Sequence, residues 1–351
     1  MSAPEGPADA TYPYLMKKPI ITCATAALLF LGADFASAAP RVPHKAWTDP
    51  ETALREDPDF AIQGEYAGEG TGAQVVALGG GSFECYLLEG GLPGAGWEPG
   101  RTRHKLKGMR MADEITFTDE SGNHSAILRD GKLSVTSTGG TKKELTRTER
   151  KSPTLGAKPP QDAIVLFDGS SADAWTNGKT EKGHLLSTGA TSKQQFGDYT
   201  LHLEFRTPYM PGARGQQRGN SGVYHSGRWE TQVLDSFGLE GRDNECGGIY
   251  SISKPRLNMC LPPLAWQTYD VEFTAARFDE TGKRTAWPRI TVKLNGVVVH
   301  ENLELSKDFT TSAPLNKPLV SPEGPVFIQN HNDPVVFRNI WIVPKPKPAT
   351  P

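Results

Sequence analysis

The sequence predicts an all-β protein: a C-terminal two-sheet jelly-roll sandwich preceded by a small all-β domain. Three observations carry this. Short runs of alternating apolar and polar residues recur every ~8 to 12 residues, with Gly-rich clusters between them. Gly (37) and Pro (28) are abundant in a chain of 351 residues, which fits many strands joined by tight turns. No stretch sustains a helical period.

The N-terminus must be set aside first. Met16-Lys17-Lys18, an apolar run from Pro19 to Leu31 and the small-residue triplet Ala36-Ser37-Ala38 follow the order of a cleaved export signal. Residues 1–38 therefore read as an extension plus signal peptide, with Met16 as the expected true start and Ala39 as the first mature residue. A stretch of about 12 apolar residues is too short to span a bilayer, so no stable membrane insertion is expected after cleavage. Export to the periplasm or the exterior follows. The net charge of −2 gives no reason to expect nucleic acid or an anionic membrane as partner.

Residues 39–58 read as a solvated lead. The front domain, 59–149, shows strand-like runs at 60–66, 73–78, 83–88, 114–118, 124–129, 132–136 and 143–148, divided by turns such as Gly79-Gly80-Gly81 and Asp130-Gly131. The triple glycine lacks the following Gly-Lys-Ser/Thr of a phosphate loop, and the domain carries no catalytic constellation. His104 and His124 read as isolated surface or strand residues. Pro and Lys mark 150–161 as an extended linker.

The second domain, 162–344, has strand pattern at about 163–167, 184–187, 199–206, 220–225, 229–235, 268–276, 288–294, 297–301, 325–330 and 335–343, with an Asn295-Gly296 hairpin turn. So many antiparallel-looking strands in one domain favour the jelly roll. Residues 345–351 form a Pro-rich tail expected to fray. Cys246 and Cys260 are spaced to close a short loop if oxidised, though geometry decides, and Cys85 lies in an apolar run as a buried thiol.

The candidate site centres on Gly219 to Asp235. Two runs, 220–225 and 229–235, flank Ser226-Gly227-Arg228 as a hairpin would. Strand alternation puts Glu230 and Gln232 on one face, with Asn220 and Tyr224 joining from the partner strand. A carboxylate in mid-strand is costly unless it is solvated in a groove or hydrogen-bonded. His225 faces away and takes no role. Asp235 reads as a turn residue, and Trp175, Trp229, Trp287 and Trp341 as packing residues.

Several phrases recur in order: Leu166-Phe167-Asp168-Gly169, Leu201 to Pro208, Gly219 to Tyr224, Glu230 to Ser236, Trp266 to Asp270, and Ile328 to His331 with Phe337 to Trp341. Together they resemble the 3-keto-disaccharide hydrolase family, of concanavalin A-like fold, over about 162–344. The resemblance implies a carbohydrate substrate. A keto group at sugar C3 acidifies the C2 proton, so a base could remove it and expel the C1 substituent, and water would complete a net hydrolysis. The enolate charge needs Arg or one divalent metal ion.

If the polar faces converge, Glu204, Glu230, Gln232, His331 and Arg338 line one groove. Glu230 is then base or metal ligand, His331 ligand or acid, and Glu204 with Arg338 positions the substrate. Tyr224 and Trp266 offer a face to a sugar ring. Two other readings stay open. One is a conventional glycosidase using Glu204 and Glu230, which requires ~5 to 9.5 Å between the carboxyls. The other is a carbohydrate-binding module without turnover.

Overall fold

The computed structural model describes residues 44–346. The signal-like segment and residues 347–351 lie outside them. No described helix is long and apolar enough to cross a membrane.

The lead is more ordered than its composition suggests. Short helices span Pro50–Glu56 and Pro58–Ile62, each opened by an Asp whose carboxylate accepts a backbone N–H and by Pro in the first turn. These Asp-Pro pairs are start signals too brief to register as periodicity. Trp47 pairs its backbone with that of Tyr209, and their rings lie 5.4 Å apart.

The front domain closes into an eight-stranded barrel over Gly64–Thr148. Its strand Arg103–Met111 has no counterpart in the predicted set, because charged residues occupy most of its outward positions and few are β-branched. His104 and His124 are not isolated. Their rings stack at 3.8 Å, and His124 meets Asp119 at 3.1 Å.

The C-terminal sandwich has an eight-stranded and a five-stranded sheet. The larger one runs through the central strands Val336–Pro344, Tyr199–Arg206, Gln267–Thr274 and Arg289–Leu294. The smaller one is ordered Trp175–Thr176, Ala190–Phe196, Gly324–Ile328, Ser221–His225, Trp229–Val233. Between the sheets lie Leu201, Leu203, Phe205, Tyr269 and Phe273 from one side and Val223, Trp229, Val233, Val326 and Ile328 from the other. Alternation then fixes what faces outward. On the large sheet that is His202, Glu204 and Asp270, and on the small one Tyr224, Glu230 and Gln232.

The barrel and the sandwich exchange core residues. Val76 and Tyr86 of the barrel pack in the sandwich cluster, while Tyr209 and Leu264 of the sandwich pack in the barrel cluster. The linker is clasped: Ser152 and Thr154 hydroxyls meet that of Thr268 at 2.6 and 2.9 Å, and the Gly156 N–H donates to Glu204 at 2.6 Å. At the far end Lys345, the first residue of the expected tail, donates its N–H to the Asp198 carbonyl at 2.8 Å, and the tail from 347 on lies outside the described residues.

Cys85, Cys246 and Cys260 are buried free thiols. The short-loop disulfide is not formed; the Cys246 sulfur lies 3.4 Å from the Tyr269 hydroxyl and the Cys260 sulfur 3.5 Å from the Leu234 carbonyl. Trp175 and Trp229 join the core, Trp341 stacks on His202 at 5.0 Å, and the Arg284 guanidinium covers Trp287.

Candidate functional site

Ser221–His225 and Trp229–Val233 form the expected hairpin, with Tyr224 opposite Glu230 and Gly222 opposite Gln232. The link turns at Ser226 and Gly227, both with positive φ (50° and 62°). His225 points into the core, held between the Tyr199 and Thr231 hydroxyls at 2.9 Å each, and burial lowers its pKa to about 3. The opposite face carries the polar cluster.

Glu230 is 2 % exposed. Its Oε2 accepts from the Tyr224 hydroxyl at 2.9 Å, and Gln329 Nε2 donates to that hydroxyl at 3.1 Å. The Thr311 carbonyl lies 2.9 Å from the same hydroxyl, while the Thr310 hydroxyl caps the Glu230 N–H at 3.1 Å. Burial pushes the Glu230 carboxyl up to about 8, against the lowering effect of the Tyr224 hydrogen bond. No basic side chain contributes. Three other buried acids have one: Asp235 meets Arg218 at 2.6 Å, Glu65 meets Arg150 at 2.6 Å and Asp59 meets Arg110 at 2.5 Å.

A second layer holds the amides. Gln216 Nε2 donates to the Asn244 carbonyl at 2.6 Å, and Gln216 Oε1 accepts from Asn220 Nδ2 at 3.2 Å and Gln232 Nε2 at 3.3 Å. Gln329 joins through its N–H, bonded to the Gly222 carbonyl at 2.9 Å. Gln329 stands in the Ile328 to His331 phrase without an assigned role, and Gln216 lies in the short 3-10 turn Gly215–Gln217, which has no strand pattern to reveal it.

Gly222 leaves the space in which the Glu230 carboxylate lies. A Cβ there would sit 2.0 Å from Glu230 Oε1, which forces the carboxylate aside. Gly222→Ala is therefore expected to abolish whatever Glu230 does and to cost about 1 to 3 kcal/mol from overpacking. Thermal unfolding and turnover measured on one preparation check both parts.

The expected common groove does not form. Asn220, Tyr224, Glu230 and Gln232 come together, but Glu204, Arg338 and Trp266 belong to the opposite side of the sandwich. Glu204 accepts from Arg338 Nε at 2.6 Å and Asn339 Nδ2 at 3.0 Å, and His202 bridges it to Asp270, 2.6 Å from His202 Nδ1. Trp266 lies against the guanidiniums of Arg338 and Arg206, with 3.9 and 4.9 Å to the ring centroid. The error was to assume that outward faces of different strands share one trough, when the strands belong to different sheets. His331 is half-buried in the loop between Gln329, whose carbonyl accepts from Ser221, and Asp333, which accepts from the Asn220 N–H just ahead of the strand that carries Tyr224. Among the described residues, no group of three or more His, Cys, Asp or Glu side chains could hold a metal ion. Glu230 and His331 thus lack a third partner of that kind, and amide oxygens are the remaining donors beside Glu230.

The site is thus a buried carboxylate, a phenol hydroxyl and several amides on one outer sheet face of a β-sandwich. Residues 162–343, just over half of the chain, match the 3-keto-alpha-glucoside-1,2-lyase-like domain, and the chain belongs to this family. Two solved structures from Parabacteroides distasonis ATCC 8503, each named a "putative glycosyl hydrolase", are similar to it. One is 33% identical, covering 53% of this chain and 85% of that one with a TM-score of 0.47. The other is 16% identical, covering 53% and 95% with a TM-score of 0.40. No curated protein matches the chain.

Proposed function

We propose that the protein is an exported enzyme that cleaves 3-keto-glycosides by removing the C2 proton, expelling the C1 substituent and adding water. Family membership and the Tyr224–Glu230 pair support this reading, and the pair is the observation that carries it. A carboxylate bonded to a phenol hydroxyl, with no basic side chain beside it, is arranged to receive a proton. The C2–H electrons form the C1–C2 double bond conjugated with the C3 carbonyl, the C1–O bond breaks, and the departing oxygen takes a proton. His331, at the edge of the cluster, is the acid assigned to that oxygen. Water then adds across the double bond, and the sum is hydrolysis.

The two-carboxylate glycosidase loses support. Sheets in a sandwich pack about 10 Å apart, and Glu204 and Glu230 point outward from different sheets, so their carboxyls cannot flank one bond. Pure protein incubated with a 3-keto-glucoside and with the parent glucoside tests the proposal: release from the keto form alone is the expected result. Release from the parent would restore the conventional glycosidase, and binding of either without release would leave a non-catalytic carbohydrate-binding module. Export rests on Met16 to Ala38 and is checked by the N-terminal residue of secreted material, expected to be Ala39.

A further inference from the structure

Four acceptor oxygens in this cluster have no hydrogen-bond donor: Asn220 Oδ1, Glu230 Oε1, Gln232 Oε1 and Gln329 Oε1. Their residues are 1, 2, 1 and 8 % exposed, and solvent does not reach the four atoms. All four residues are arranged about Gly222. Gln232 is its cross-strand partner, Gln329 bonds its carbonyl, Asn220 precedes it by two positions on the same face, and Glu230 Oε1 lies over its Cα. Exchanging amide oxygen and nitrogen does not remove the problem. Asn220 Nδ2 donates to the Gln216 carbonyl at 2.8 Å, Gln232 Nε2 to Gln216 Oε1, and Gln329 Nε2 to the Tyr224 hydroxyl, so each nitrogen is already placed on an acceptor.

Leaving one buried acceptor unpaired costs about 1 to 3 kcal/mol, so four around a single glycine call for an occupant. A water molecule offers two hydrogens for four oxygens. A cation satisfies all four and also supplies the counter-charge that Glu230 lacks. Cation–oxygen contacts of about 2.3 to 2.6 Å are shorter than hydrogen bonds, so an ion fits a gap that water does not enter. The donor set names its class. One carboxylate with three amide carbonyls, and no nitrogen or sulfur ligand, suits a hard ion with flexible coordination rather than zinc, copper or iron.

We propose that Asn220, Glu230, Gln232 and Gln329 bind one calcium-class divalent cation on the outer face of the small sheet. The site shares Glu230 with the reaction proposed above, the cation taking Oε1 and the Tyr224 hydroxyl keeping Oε2, but it is argued from the unpaired oxygens and does not depend on that reaction. With a single carboxylate the affinity belongs at the weak end of protein calcium sites.

The test uses the full chain, stripped with a chelator and titrated with calcium by calorimetry and with terbium by luminescence excited through the protein's aromatic rings, Tyr224 being bonded to the ligand carboxylate. One calcium per chain is expected, with magnesium weaker and sodium without effect. Gln329→Leu should weaken binding about tenfold or more, and Gln232→Glu, which adds a charged ligand, should tighten it by a similar factor. Should Gln329→Leu not fold, wild type and Gln232→Glu suffice. Absence of calcium binding in wild type, occupancy by sodium alone, or affinity unchanged in Gln232→Glu overturns the proposal. Calcium uptake without keto-glycoside cleavage would defeat only the proposed reaction, and cleavage without uptake only the cation site.

Discussion

Replacing Glu230 by Gln is expected to lower 3-keto-glycoside cleavage by about 10²- to 10⁴-fold, the usual worth of a positioned proton-transfer group. In calcium-free buffer the thermal midpoint should hold or rise. Gln has nearly the shape of Glu and can still accept from the Tyr224 hydroxyl, and it removes a buried carboxylate that no basic side chain neutralises. Loss of activity with an intact fold separates a chemical role from a structural one. Turnover within a few-fold of wild type, measured on protein with an unchanged unfolding curve, would remove Glu230 from the mechanism.

The second large effect runs the other way. Glu204→Leu should cost about 2 to 4 kcal/mol of stability, a range set below that for fully buried pairs because Arg338 is 35% exposed. Cleavage per folded molecule should barely change. The substitution strands Arg338, the Gly156 N–H and the Asn339 amide, all of which end on the Glu204 carboxylate. That carboxyl is raised by burial but lowered more by hydrogen bonds from His202, Asn339, Gly156 and Arg338, and it settles at about 2. A depressed folded-state pKa favours the ionised form in the fold. The stabilisation is present above the ordinary value of 4.5 and is lost as pH falls toward about 2.

Beside it, His202 is lowered by burial but raised more by its hydrogen bond to Asp270 and by the Glu204 carboxylate 3.8 Å from Nε2, for a net rise. Its share is complete below its ordinary value of 6.5 and fades as pH climbs through the raised one. Midpoints measured across pH should therefore decline at both ends, and the acid decline should flatten in Glu204→Leu. A cleavage defect in that variant as large as in Glu230→Gln would reinstate the two-carboxylate arrangement.

Strand alternation was enough to find the hairpin, because Trp229, Thr231 and Val233 contrast with Glu230 and Gln232 at a period of two. The same rule turned His225 away from Tyr224, and the structure buries it. It could not say which sheet each strand joins. That choice depends on long-range pairing, Tyr199–Arg206 with Gln267–Thr274 and Val336–Pro344, and Ser221–His225 with Gly324–Ile328. Glu204 and Arg338 were thus rightly placed beside one another and wrongly placed beside Glu230. The strand Ala190–Phe196 was hidden by its polar Thr-Ser-Lys-Gln-Gln content, and the helices after Asp49 and Asp57 by their shortness. Gln329 was visible in the Ile328 to His331 phrase, but its part depended on a hydroxyl from a neighbouring strand.

Val76 and Tyr86 fill one hydrophobic interior from the barrel while Tyr209 and Leu264 fill the other from the sandwich. Neither half can be transplanted alone without opening a hole in itself and baring a greasy plug meant for its neighbour. Cutting the chain down to 162–343 is therefore expected to bare apolar side chains of the sandwich that the barrel now covers, Tyr209 and Leu264 among them.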